Sequence, residues 1–259
     1  MKKHSLEIIP KQSDRIKTLS KELFNEIYIA YIPGDSFNNI VEASKFVIEQ
    51  GFISVPHIPA RNILDEDQLD LYLSNLASIG VKKILVLGGS GNKKGVFEKT
   101  FDLYETGLFN KYKFEQINIA GHPEGNPQDK NSDMNLLKKC QWIVENRFKS
   151  AIVTQWTFDI SKTNQWIEKI KKETNSIHKN HFDINVGIAG PAKITTLINY
   201  AKICGVSATT IIARNKNIGL RKLIKHDPKV IIDGLVGYDN LHFFPFGGIK
   251  ELIKWRNEV

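Results

Sequence analysis

The sequence predicts an α/β protein, a (β/α)8 barrel forming one domain over residues 1–259. Three observations point there. Short apolar runs alternate with longer amphipathic segments along the whole chain. The runs are near-continuously apolar rather than alternating, as strands of a parallel sheet buried on both faces must be. Glycine, proline and histidine gather just after the runs, where a barrel places its carboxyl-end loops and its active site. A doubly wound open sheet is the competing arrangement.

The strand candidates are 5–9, 27–32, 52–58, 84–89, 117–122, 151–156, 184–190 and 241–246. Helical spacing fills the segments between them. Leu69, Tyr72, Leu73, Leu76 and Ala77 recur at three and four after an acidic first turn of Asp65, Glu66 and Asp67, which favours a helix start. Ile194, Leu197, Ile198 and Ala201 repeat the pattern, with Gly205 as a stop signal. Pro10, Pro33-Gly34-Asp35, the 88–92 glycine turn, the 122–127 turn, Gly190-Pro191 and Gly247-Gly248 punctuate the strand ends.

Apolar residues make up 41% of the chain, enough for a sizeable core. No stretch has the roughly 18 uncharged apolar residues of a membrane span, and the N-terminal residues run directly into a strand candidate rather than a secretory signal. Cys140 and Cys204 are far apart and without metal-like spacing, so reduced structural thiols and a cytoplasmic location are expected. The net charge of +8 comes from lysines spread over most helices. No nucleic-acid motif accompanies it, and an attraction for anionic small molecules is the expectation instead.

Glu7 lies inside the first apolar run, Ser5-Leu6-Glu7-Ile8-Ile9-Pro10. A carboxylate there must be paired or hydrogen-bonded, or else hold its proton. A carboxyl group that stays protonated near neutral pH can serve as a general acid; a Glu bridged to Lys at a strand end is the plainer alternative. Gly88-Gly89-Ser90-Gly91-Asn92 follows a strand and can bring backbone N–H groups to a phosphate, although a tight turn explains it equally well. His57 and His122 end strands. With Glu124 and His242 they could in principle hold a metal, but they lack the spacing of a metal site and none is expected. Gln155, followed by Trp156, offers an amide with donor and acceptor groups suited to a lactam-like edge.

Taken in order, Leu6–Pro10, Ala30–Asp35, Pro56–Pro59, Leu85–Gly89, Ala120–Pro127, Val153–Asp159 and Gly187–Pro191 resemble the methylenetetrahydrofolate reductase family, from Leu6 to Gly248. The resemblance implies FAD at the carboxyl face of the barrel, NADH or NADPH as electron donor and a tetrahydrofolate derivative as substrate. By this likeness Glu7 matches the general acid. Gln155, with Trp156 beside it, matches the pterin contact. His57, Gly88, Gly89, Ser90, His122, Asn126 and Asp133 fall on the flavin side. The pattern departs from the family at several points. Ser90 stands in place of an Asp, Ala30 of a Thr, His122 of a Tyr, Asn126 of a His, and Cys140 of a helix Lys that holds the FAD phosphates.

The implied activity is interconversion of 5,10-methylene- and 5-methyl-tetrahydrofolate by hydride transfer through FAD. The alternatives are another folate activity such as methyl transfer, a flavin-free reductase, and a non-catalytic binding or assembly subunit on the same scaffold. The expected partner is a small-molecule folate, with neither nucleic acid nor membrane; assembly into a homo-oligomer is left open.

Overall fold

The computed structural model describes residues 3–204 and 225–258, so the stop signal assigned to Gly205 lies outside the described residues. The eight strands are β1 His4–Ile8, β2 Phe24–Ile29, β3 Ile53–Pro59, β4 Lys83–Leu87, β5 Gln116–Gly121, β6 Ser150–Trp156, β7 Phe182–Ala189 and β8 Asn240–Phe244. They close in chain order into a parallel barrel, the architecture the alternation predicts. Between and after them come α1 Phe37–Glu49, α2 Glu66–Ser78, α3 Thr100–Glu105, α4 Leu108–Lys111, α5 Ser132–Glu145, α6 Ile160–Ile177, α7 Ile194–Cys204, α8 Lys229–Ile232 and α9 Ile249–Glu258.

The strand runs read as continuously apolar because both faces are covered: every residue of β3 after Ile53 is buried, and in β7 only Asp183 is exposed. Side-chain caps start the helices where the sequence provides them. Ser36 Oγ accepts from Asn39 N at 3.2 Å, Asp65 from Gln68 N at 2.9 Å, and Asp159 from Lys162 N at 3.0 Å. The connection after β1 differs from the helical segments expected there. Pro10–Thr18 is a 3-10 helix, opened by Pro10 and tied by Gln12 Oε1 accepting from Ile9 N at 3.1 Å.

The chain divides into two compact units, Met1–Ala120 with Lys138–Ala151, and Gly121–Leu137 with Ile152–Val259. In the first, Glu7 of β1 is the register partner of Tyr28 of β2. The Tyr28 hydroxyl accepts from Asn118 Nδ2 of β5 at 2.8 Å, and Asn118 Oδ1 accepts from Gln116 Nε2 at 2.7 Å and Ala151 N at 2.9 Å. A bond from β2 to β5 spans strands that are not neighbours, so Tyr28 points into the sheet's enclosed face and Glu7 shares that side. Lys83 Nζ pairs with Glu26 Oε1 at 2.6 Å. Burial, then the Glu26 carboxylate and after it Glu7, push the Tyr28 hydroxyl far above its ordinary range, so it stays protonated.

In the second unit, Thr154 locks β6 to β7: its Oγ1 accepts from Gly187 N and donates to the Gln155 carbonyl, both at 2.8 Å. Asp239, just before β8, accepts from Ile184 N and from Lys171 Nζ, each at 2.9 Å. Among the described residues no helix is long and apolar enough to cross a membrane.

Candidate functional site

In the first unit, Glu7 sits one residue from the end of β1 and His57 two residues from the end of β3. His57 Nε2 lies 3.4 Å from Glu7 Oε2, with side-chain exposures of 10% and 19%. The contact joins strands separated by β2 and is therefore made over the enclosed face. It is a close approach rather than a hydrogen bond, since His57 Nε2 makes none among the described residues. The carboxylate is thus neither fully buried nor alone, which resolves the cost its place in an apolar run raised. Tyr72, on α2, donates from its hydroxyl to the His57 carbonyl at 3.0 Å and holds that strand end in place.

The glycine turn follows β4 directly. The carbonyl of Gly88 accepts from Arg61 N at 2.9 Å, and that of Gly89 from Arg61 Nη1 at 3.5 Å. Arg61 Nε also reaches Glu98 Oε1 at 3.2 Å. Gly89 has a φ of +83°, and a Cβ there would stand 2.7 Å from Asn62 Oδ1, so only glycine suits the position. Ser90 is exposed. Neither Arg61 nor Asn62 was anticipated from the sequence, because both act through chain that β3 and β4 bring side by side.

In the second unit, Gln155 and Trp156 end β6. Gln155 Oε1 accepts from Trp156 N at 3.0 Å. A backbone N–H can only donate, so the oxygen must face it and the NH2 is the end of the amide left for a ligand. Trp156 is buried, its ring edge-on to Phe158 and Phe246, and its Nε1 has no hydrogen-bond partner among the described residues. His122 is the first residue after β5, and its carbonyl accepts from Gly125 N at 2.9 Å. The Asn126 side-chain oxygen accepts from Gln128 N at 3.0 Å. Asp133, in the first turn of α5, accepts from Trp166 Nε1 and from Lys169 Nζ, each at 2.8 Å. Lys169 is held charged by that carboxylate, its pKa raised.

Glu124, a possible metal ligand by sequence and part of the 120–127 segment that carries the resemblance, has another engagement. Its Oε1 accepts from Thr157 Oγ1 at 2.7 Å, Phe158 N at 2.5 Å and Asp159 N at 2.8 Å. Among the described residues no three or more His, Cys, Asp or Glu side chains are grouped to hold a metal. Cys140 is a buried thiol pushed up to about 12 by burial, and therefore neutral.

Every one of these polar groups stands at or after the carboxyl end of its own strand, which defines the class: a (β/α)8 barrel with the polar carboxyl-end loops from which such barrels build their sites. No family model matches the chain. Among solved structures it is similar to an uncharacterized protein from Clostridium thermocellum that binds two copies of 5-methyl-5,6,7,8-tetrahydrofolic acid. That likeness has a TM-score of 0.62 at 10% identity, covering 99% of this chain and 93% of the other. A second similar structure is citrate synthase SbnG, with a TM-score of 0.42 at 13% identity over 84% of this chain and 92% of that one.

Proposed function

We propose that this chain binds a reduced folate and interconverts 5,10-methylene- and 5-methyl-tetrahydrofolate by hydride transfer. The observation that carries the reading is the contact of Glu7 with His57 at the ends of β1 and β3. Carboxyl and imidazole side by side can hold a proton and return it, the pairing that general acid catalysis needs. Glu7 gives its proton to a folate nitrogen, the five-membered ring opens to an iminium, and a hydride reduces the exocyclic carbon to the methyl group. Glu7, the more exposed of the pair, regains its proton from solvent, with His57 beside it. The resemblance gives the Gln155 amide, with Trp156 next to it in the chain, as the pterin contact. The 5-methyl-tetrahydrofolate bound by the similar Clostridium thermocellum protein makes that compound the first probe.

The resemblance brings FAD with it, and the residues present do not fit that group. Both oxygens of Asp133 already accept protein donors, and the Asn126 oxygen accepts from its own turn. Cys140, at the place of a phosphate-holding Lys, is buried and neutral. Ser90 supplies no carboxylate. The hydride is accordingly assigned to a reduced nicotinamide, which is oxidised as it reduces the folate iminium directly. The purified protein should oxidise NADH or NADPH only when methylene-tetrahydrofolate is present, with no flavin absorbance near about 450 nm. Absence of folate-dependent oxidation contradicts the reductase reading; flavin bands would contradict the direct donor alone.

A further inference from the structure

We infer that Glu124 is a positioning residue for the Gln155 amide, holding it with its NH2 toward the ligand. The inference rests on the folate reading for the identity of the ligand, but its geometry belongs to the protein alone. Glu124 comes three residues after the end of β5 and reaches the segment that joins β6 to α6. That segment is only Thr157, Phe158 and Asp159, and all three donate to Glu124 Oε1, at 2.7, 2.5 and 2.8 Å. The Thr157 hydroxyl is also 2.6 Å from that of Thr163, which is wholly buried in α6. A carboxylate oxygen that accepts two backbone N–H groups and a hydroxyl at a helix start is favoured by charge-assisted hydrogen bonding and by the helix dipole.

Gln155 stands two residues before this clasp. Its Oε1 is turned back onto Trp156 N, and Trp156 leads directly into the clasped residues Thr157, Phe158 and Asp159. On the other side Gly187 of β7 presses so close that a Cβ would come within 2.7 Å of the Gln155 carbonyl carbon and oxygen. Strand contact therefore sets the backbone of Gln155, and the clasp sets the direction in which the chain leaves it. Without Glu124 two backbone N–H groups and one hydroxyl lose their shared acceptor and turn to water. The Trp156 N–H then no longer selects one orientation of the amide.

The ligand-free protein decides the matter. In a 15N-labelled sample the Gln155 side-chain NH2, identified by its loss in Gln155→Ala, should give one sharp pair of resonances. It should broaden or shift toward free amide positions in Glu124→Ala and be restored in Glu124→Gln, whose carbonyl can still accept. Affinity for 5-methyl-tetrahydrofolate should fall about tenfold in Glu124→Ala, and the loss should not add to that of Gln155→Ala in the double variant. Unchanged Gln155 resonances in folded Glu124→Ala, or additive losses, overturn the inference. If Glu124→Ala does not fold, Thr157→Val removes one of the three donors and should move the same resonances by less; no movement there also overturns it. Failure of the wild type to bind the folate would remove the folate reading and leave the resonances to judge Glu124.

Discussion

Glu7 was legible in the sequence because a carboxylate inside an apolar run needs a reason. Its partner was not. His57 lies fifty residues on, and β1 meets β3 only once the sheet curls, so nothing in spacing joins them. Under the proposed reaction Glu7→Gln should fold normally and lose about 10²–10⁴-fold in folate turnover, the usual contribution of a general acid. Turnover and a thermal melt on the same preparation check this, and a stable variant with unaltered turnover would make Glu7 a structural partner of His57. Cys140 gives a second prediction. A fully buried thiol raised to about 12 presents almost no thiolate at pH 8. Peptide mapping after brief alkylation of the native protein should leave Cys140 unmodified, and denaturation should expose it; rapid native labelling would contradict that burial.

At the scale of elements, the apolar runs found all eight strands, because burial on both faces leaves a signal that needs no partner to be read. The second is the least well bounded. Its run at 27–32 misses the start at Phe24, since half-buried Asn25 and Glu26 interrupt the apolar pattern where Glu26 pairs with Lys83. The carboxyl-end turns were legible from glycine and proline, but the bonds that shape them were not: Arg61 on the glycine turn and Glu124 on the turn after β6 act across different loops. Two glycines with different surroundings test the packing. Gly187→Ala would place a Cβ 2.5 Å from the Thr154 carbonyl oxygen and should destabilise by about 1–3 kcal/mol or more, the cost of overpacking. Gly88→Ala meets nothing within 4 Å and should be tolerated. Urea denaturation of both variants gives the comparison, and equal stabilities would contradict the close approach of β7 to β6.

Asp70 of α2 adds a pH dependence. Lys111 and Tyr112 donate to its carboxylate at 2.6 and 2.7 Å. The Lys111 bond, then the Tyr112 bond, lower the Asp70 pKa, and the same contact raises that of Lys111. A depressed carboxyl pKa contributes stability that is present above its unfolded value and is lost as pH falls through the folded one. A raised ammonium pKa contributes stability that is present below its unfolded value and is lost as pH rises through the folded one. Asp70→Asn should therefore lower the melting temperature slightly across the neutral range, with the difference fading in acid and in strong alkali. The pair is exposed, so the effect is small and should shrink with salt. A difference that grows in acid would reverse the assigned sign.

For the molecule as a whole, the barrel was legible because alternation and strand number are properties of the entire chain. The charge of +8 was legible as a number but carries no address: lysine pairs such as Lys111–Asp70, Lys169–Asp133 and Lys225–Glu251 spend part of it in local contacts. What decides the function is the ligand, and the proposed ligand is a reduced folate. Isothermal titration of 5-methyl-tetrahydrofolate into the wild-type protein tests it most directly. Saturable binding is expected, raising the melting temperature as the ligand exceeds its Kd and weakening on Gln155→Ala. No heat of binding and an unmoved melting temperature at millimolar ligand would contradict it.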